Sequence, residues 1–175
     1  MDITIVGLDL AKNVFQVHGV DAAGDVIVRR RLRRTQLCGF FAGLEPCLIG
    51  MEACGTAHFW ARELVALGHE VKIIPPSYVK AYVRRGKSDA ADAAAICEAV
   101  SRPNMRFVPI KGEDQQAALM LHKARELLMR QQTMLVNALR GHMAEFGMIA
   151  PLGRGKVEDI IAVMRMTRTR ASPPR

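Results

Sequence analysis

Hydrophobic and polar positions alternate along the first thirty residues in the way expected of β-strands. Residues 3–9 form a short β-branched apolar run, which predicts a buried strand that ends at an acidic residue, Asp9. Residues 13–20 and 26–32 predict two further strands, because each alternates apolar and polar side chains and a turn-forming stretch separates them. We expect these strands to form an antiparallel meander.

Helix and strand patterns alternate from there to about residue 102. The predicted order is helix 35–43, strand 47–51, helix 56–67, strand 69–74, helix 77–85 and helix 88–102. The strand at 47–51 leads directly into a second acidic residue, Glu52. Three antiparallel strands followed by parallel crossovers predict an α/β mixed sheet with flanking helices, which is the arrangement of the ribonuclease-H-like fold.

A single long helix is predicted at 113–146, where no proline interrupts the pattern. Its seam follows alternating spacings of four and three residues and has two polar members: Ala117, Leu121, Ala124, Leu128, Gln131, Leu135, Ala138 and His142. This heptad pattern is typical of a coiled-coil arm and equally of a lone helix packed on its own domain. Residues 151–175 predict a loop, a short helix at 157–164 and a disordered end.

The composition narrows the class of protein. Half of the 175 residues are hydrophobic, which excludes a disordered chain, and no apolar run approaches the roughly 18 residues that a membrane span needs. The first residues lack the basic flank of a signal peptide, so we expect a cytoplasmic bacterial protein with no membrane partner. Four scattered cysteines without a CxxC pair predict reduced thiols rather than a zinc site.

The charge indicates the kind of partner. A net charge of +8 and a pI of 9.8 favour a polyanion, although a merely basic surface would give the same totals. Clustering of the basic side chains at 29–34 and 80–87 favours nucleic acid, because clusters bind phosphates better than a dispersed charge does. The predicted nucleic-acid-binding residues are Lys12, Arg30, Arg33, Arg34, Lys80, Arg84, Arg85 and Lys87.

Four acidic residues form the candidate catalytic site. Asp9 and Glu52 each end a predicted strand, and ligands of an open α/β sheet lie beyond the carboxyl ends of its strands. Asp89 and Asp92 are three residues apart on a predicted helix and therefore share a face. Such a cluster suits Mg²⁺ (or Mn²⁺) in phosphodiester cleavage, since these ions take carboxylate oxygens. Taken singly, each acid also has an ordinary interpretation as a cap, a surface acid or a first-turn helix acid.

Three acidic motifs together resemble a known family. The stretches GLDLAK at 7–12, GMEACG at 50–55 and KSDAADA at 87–93 are similar to the motifs of the DEDD insertion-sequence transposases, the insertion-sequence family numbered 110. The chain looks closest to the 1111 subgroup of that family. The stretch LVNALRGHMAEFG at 135–147 is similar to the helix that leads out of the family's nuclease domain. The resemblance covers about residues 3–153.

The resemblance implies a RuvC-like DEDD nuclease domain at 1–110, a helical arm at 111–150 and a loop with a disordered end at 151–175. It implies that the four acids are the metal-binding and catalytic tetrad, that the substrate is DNA, and that a structured RNA guides the reaction. It also implies a homodimer or tetramer through the helical arm. Family members continue into a second domain with a serine nucleophile, so we expect a truncated or frameshifted copy or an excised domain.

Other functions remain open at the level of sequence. A non-catalytic nucleic-acid-binding fragment or regulator would keep the basic surface, and a Holliday-junction-resolvase-like nuclease would share the fold. A sugar-kinase or actin-like ATPase has a similar first strand, but it needs a duplicated subdomain and a glycine-rich adenosine loop for which 175 residues leave no room. The long helix after the domain favours the transposase.

Overall fold

The computed structural model describes residues 2–82, 89–149, 151–153 and 157–170, with the backbone alone at 89, 157 and 167–170. A five-stranded mixed sheet lies at the centre of residues 1–112, with the strand order β3-β2-β1-β4-β5. The strands are β1 Ile5–Leu10, β2 Val14–Val20, β3 Val26–Arg33, β4 Leu48–Glu52 and β5 Glu70–Ile74. β1, β2 and β3 form the antiparallel meander, and β4 and β5 follow in parallel with β1.

The helices within the described residues are α1 Leu37–Ala42, α2 Ala57–Ala66, α3 Pro76–Val79, α4 Asp89–Val100, α5 Glu113–Ala144 and α6 Val157–Arg170. The mixed sheet with flanking helices and the long helix were predicted, and both are confirmed. A short 3-10 turn, Arg34–Gln36, leads into α1. The helix predicted at 77–85 is described only as α3 and a turn to residue 82, and residues 83–88 lie outside the described residues.

Alternation along the strands gives the sheet two buried faces. Val6 and Leu8 of β1 and Ile49 of β4 belong to one core cluster, together with residues of α1 and α2. The opposite face packs under α4, whose Ile96 and Val100 form a second cluster with Ile74 of β5. Since successive strand residues point to opposite faces, the intervening residues Ile5, Gly7 and Asp9 all lie on the α4 face.

α4 approaches β1 and β4 so closely that only glycine fits beneath it. A Cβ atom added to Gly7 would meet the Ala93 carbonyl and would lie 2.5 Å from the Cys97 backbone nitrogen. A Cβ atom added to Gly50 would lie 2.7 Å from the Val100 Cβ. These two positions therefore fix the height of α4 above the sheet.

Residues 113–175 form a second compact unit, separate from 1–112. Its small core joins Val136 and Met143 of α5 to Ile160 of α6. Along much of its length α5 leaves large apolar side chains exposed, including the seam residues Leu121, Leu128 and Leu135 at 74%, 64% and 64%. The long helix is confirmed, whereas its pairing as a coiled coil stays a prediction.

α6 extends to Arg170, six residues beyond the end predicted for the short helix near the C-terminus. At the start of α6, Ile160 is 1% exposed and anchors the first turns, and Glu158 and Asp159 suit the positive end of the helix dipole. Arginine favours a helix and threonine is only modestly unfavourable, so the helix can continue after the 3.6-residue apolar pattern has faded. Residues 171–175 lie outside the described residues.

Two further sequence predictions concern cysteines and membranes. All four cysteines are free, as predicted, and burial raises the pKa of the Cys47 and Cys97 thiols to about 11. Within the described ranges, no helix combines the length and the apolar character that crossing a bilayer requires.

Candidate functional site

Asp9 and Glu52 lie on neighbouring parallel strands at the same edge of the sheet. β1 and β4 pair from Ile5 opposite Leu48 through Leu8 opposite Met51. One residue further along each strand are Asp9 and Glu52, so the register sets the two acids side by side. Both are half-buried. Glu52 is the last residue of β4, as predicted, whereas β1 continues one residue past Asp9 to Leu10.

The N-terminal turn of α4 lies over this edge of the sheet. Ala93 lies above Gly7, and the next residue of β1 on that face is Asp9. Towards its other end α4 covers Ile5, whose carbonyl accepts a hydrogen bond from the Cys97 thiol. The helix therefore runs back from the acidic edge, and its first turn carries Asp92, which is half-buried.

The convergence of all four acids stays a prediction. Asp89 is the first residue of α4, and its side chain lies outside the described residues. Among the side chains that are described, no group of three or more histidine, cysteine or acidic residues forms a cluster that could hold a metal ion. The donor set nonetheless fits a hard divalent ion, because Asp9, Glu52 and Asp92 all offer carboxylate oxygens.

The arginines of β3 divide between the two faces of the sheet. The β2–β3 register sets Arg31 opposite Gln16, and the β1–β2 register sets Gln16 opposite Asp9. Directly opposed residues point to the same face, so Arg31 shares the face of the acids, as do Arg29 and Arg33. Of these three, only Arg33 was predicted from the sequence to bind nucleic acid, although the alternation of residues 28–33 could have identified the others.

Arg30 lies on the other face, with the core residues Val28 and Leu32. Its guanidinium carbon lies 5.8 Å from the centre of the Phe40 ring in α1. Arg34, just after β3, lies over Trp60 of α2 at 4.9 Å from the ring centre. Both side chains remain exposed. These two predicted nucleic-acid-binding residues thus border the α1–α2 side of the sheet.

The remaining residues predicted to bind nucleic acid are Lys12, Lys80, Arg84, Arg85 and Lys87. Lys12 is exposed in the turn that follows β1, and Lys80 is exposed at the end of α3. Arg84, Arg85 and Lys87 lie outside the described residues. The role of every residue predicted to bind nucleic acid stays a prediction.

A cavity of about 570 Å³ lies beside α4, on the same face as the acids and towards the opposite end of the strands. Its lining includes His18, Arg29, Tyr82 and Glu98. Burial of the His18 ring lowers its pKa, and the neighbouring Arg29 charge lowers it further. His18 is therefore held in the neutral form near neutral pH, so it adds no positive charge to this face.

Comparison with known proteins identifies the family. The family model of DEDD transposases of the IS110 type, described as a transposase, matches residues 6–148. This chain belongs to the DEDD transposase family of IS110-type insertion sequences. The resemblance drawn from the three acidic motifs is thereby confirmed.

Curated relatives carry transposase names as well. A probable family 20 transposase of Pseudomonas aeruginosa is 51% identical over 173 residues, which cover 99% of this chain and 51% of the relative. The transposase for insertion sequence element IS1328 of Yersinia enterocolitica is 41% identical, over 93% of this chain and 48% of its own length. The transposase for IS1111A of Coxiella burnetii is 38% identical, over 99% and 48%. This member of the family spans about half the length of these relatives.

Proposed function

We propose that the chain is the DNA-cleaving domain of an insertion-sequence transposase, with Asp9, Glu52, Asp89 and Asp92 as its metal-binding carboxylates. The observation that carries this proposal is the β1–β4 register, which sets Asp9 and Glu52 side by side beneath the first turn of α4. Carboxylate oxygens are the ligands that hard divalent ions prefer, so this arrangement favours a metal site.

Mg²⁺ or Mn²⁺ is the proposed cofactor, and the four carboxylates would hold it. Bound there, a divalent ion polarises a phosphodiester and stabilises the charge that develops on its oxygens. The residues of the chain hold the carboxylates in position around the proposed ion. β1 and β4 do so through their hydrogen-bonded register, and α4 does so through its contact with Gly7 and Gly50.

The proposed partners follow from the family and the charge. DNA is the proposed substrate, because a transposase moves DNA and the net charge of +8 attracts a polyanion. A structured guide RNA is proposed on the family resemblance alone. A homodimer or tetramer through α5 is supported by the exposed seam of Leu121, Leu128 and Leu135. Exposing these apolar side chains to water is unfavourable, and a partner helix would bury them.

Metal-dependent cleavage tests the proposed function. We expect the 175-residue chain to nick branched or single-stranded DNA with Mg²⁺ or Mn²⁺ and to lose this activity in EDTA. Asp9→Asn and Glu52→Gln should each lower the rate by a factor on the order of 100 or more, because they keep the shape of the side chain and remove a metal ligand. Asp25→Asn is the matched control, since Asp25 is exposed in the turn between β2 and β3.

A non-catalytic nucleic-acid-binding protein or regulator is the second candidate, favoured by the net charge of +8 and the exposed arginines of β3. It predicts DNA binding without cleavage under every metal condition. Equal cleavage by the wild-type protein and Asp9→Asn would likewise reject the metal site, because the activity would then come from another source.

A further inference from the structure

The face of the sheet that carries the acids also carries a line of arginines. Arg29, Arg31 and Arg33 alternate along β3 with residues of the opposite face. Side chains two residues apart on a strand are separated by roughly 6.6 Å. All three are exposed. The three arginines thus form an evenly spaced positive edge, here called the arginine row.

The arginine row is joined to the acidic edge through the register of the sheet. Arg31 lies opposite Gln16, and Gln16 lies opposite Asp9. Two strand spacings separate Arg31 from Asp9, a backbone distance of roughly 10 Å. Gln16, between them, is half-buried and offers an amide with both a donor and an acceptor. From the edge strand inwards, charge on this face therefore passes from positive through neutral to negative.

The arginines of the row have no acidic partner among the described side chains. The ion pairs found there join Lys72 to Glu70, Arg102 to Glu98 and Arg130 to Glu126. Because the guanidinium groups are exposed, their donors can reach an external anion, and the fork of an arginine matches two phosphate oxygens. Since β3 is the edge strand of the sheet, no further strand of the described chain covers the row.

We propose that the arginine row binds the sugar-phosphate backbone of the DNA strand that is cleaved at the acidic site. The inference rests on the proposed function and adds a path for the strand: it follows the arginine row along β3 and then turns across Gln16 to the carboxylates. Arg29, Arg31 and Arg33 hold successive phosphates, and Gln16 contacts the segment between the row and the acids. The row positions the strand and carries no base specificity.

Neighbouring residues of β3 allow a sharp test, because Arg30 and Arg31 point to opposite faces. The probe is a labelled single-stranded DNA of about 20 nucleotides, with an RNA of the same sequence as the second arm, and binding is followed by fluorescence anisotropy across a salt series. Calcium replaces magnesium so that the DNA stays intact. Removing one arginine–phosphate interaction should lower the slope of log affinity against log salt by roughly 0.7.

Arg31→Ala should lower the DNA slope by about that amount, and the triple replacement of the row by about three times as much. Arg31→Lys, which keeps the charge, should restore most of it. Arg30→Ala should have a smaller effect than Arg31→Ala. Lys123→Ala, at an exposed position of α5, is the charge-matched control. Arg31→Gln serves as a second variant should the alanine protein fold poorly, which a thermal melt detects.

An unchanged salt slope in Arg31→Ala would overturn the inference, and so would an equal loss of slope in Arg30→Ala and Arg31→Ala. Neither result would contradict the proposed DNA cleavage. A loss seen with the RNA probe and absent with DNA would also overturn it, because the row would then serve an RNA. If the slope falls as expected and no metal condition gives cleavage, the strand path is supported and the proposed chemistry fails. Wild-type protein that binds no DNA would overturn both.

Discussion

Single residues set how closely the acid-bearing helix approaches the sheet. Gly7 and Gly50 face α4 from adjacent parallel strands, and neither could carry a methyl group without displacing the helix. The obstacle at Gly7 is backbone of α4, which cannot rotate away as the end of a flexible side chain can. Because Asp9 lies two residues from Gly7 and Glu52 two residues from Gly50, these glycines connect packing with the candidate site.

Gly7→Ala should destabilise the first unit by about 1–3 kcal/mol, the usual cost of forcing extra volume into a packed core. It should also slow metal-dependent cleavage more than stability alone explains, because α4 carries Asp89 and Asp92 away from Asp9. Urea unfolding and cleavage rates on the same preparation measure the two effects. Gly39→Ala in α1 is the control: nothing lies within 4 Å of its added Cβ, so it should stabilise by about 0.5–1 kcal/mol. Gly7→Ala as stable as the wild type would contradict the close approach.

At the scale of elements, α5 is a helix with more apolar surface than its own unit buries. Val136 and Met143 pack against α6, whereas Leu121 and Leu128 stay exposed. The helix has 32 residues and is therefore about 48 Å long. The exposed leucines recur every seven residues, which is the period at which one helix meets another along a coiled coil. A second copy of α5 is the partner that the proposed homodimer would place on this face.

Leu128→Asp should dissociate the oligomer and leave the fold of 1–112 intact, because it places a charge in the middle of the seam. Light scattering coupled to size-exclusion chromatography measures the mass, and circular dichroism checks the fold. The matched control is His122→Asp, since His122 is exposed and lies outside the seam. Wild-type protein that remains a monomer at high micromolar concentration would refute pairing through α5.

At the scale of the whole molecule, the net charge is positive although the candidate site is acidic. The chain carries 25 lysines and arginines against 17 acids, yet Asp9, Glu52 and Asp92 all lie on the side of α4. In the proposed site these carboxylates bind a divalent ion only when the chain is folded. Binding of a divalent ion should therefore be visible as a change in the stability of folding.

Mg²⁺ should raise the free energy of unfolding of the wild-type protein, because a ligand that binds only the folded state stabilises it by mass action. The gain is about 2.7 kcal/mol at a concentration one hundred times the dissociation constant. Asp9→Asn should abolish most of this gain, and Asp25→Asn should retain it. Thermal melts in Mg²⁺, Ca²⁺ and EDTA make the measurement. Identical melting of the wild-type protein in Mg²⁺ and EDTA would argue against a metal site.

The sequence predicted the strands, the mixed sheet and the long helix, because each depends on local periodicity. Residues 3–9 and 47–51 were identified as buried strands since their apolar runs are short and end at an acid. The end of α6 was placed six residues early. Helix ends depend on packing and capping as well as on periodicity, so the pattern alone could not give the length of α6.

The sequence by itself determined the family, because three acidic motifs stand in the order and at the spacing that the family shows. It also determined the four candidate acids. Only the tertiary structure decided which strands neighbour one another, and hence that Asp9 and Glu52 are adjacent and that Arg31 shares their face while Arg30 does not. The physical reason is that alternation along a strand shows which of its residues share a face. It does not show which neighbouring strand or helix that face meets. Pairing across the sheet and the approach of α4 to Gly7 and Gly50 make that assignment, and both are contacts between residues far apart in the chain.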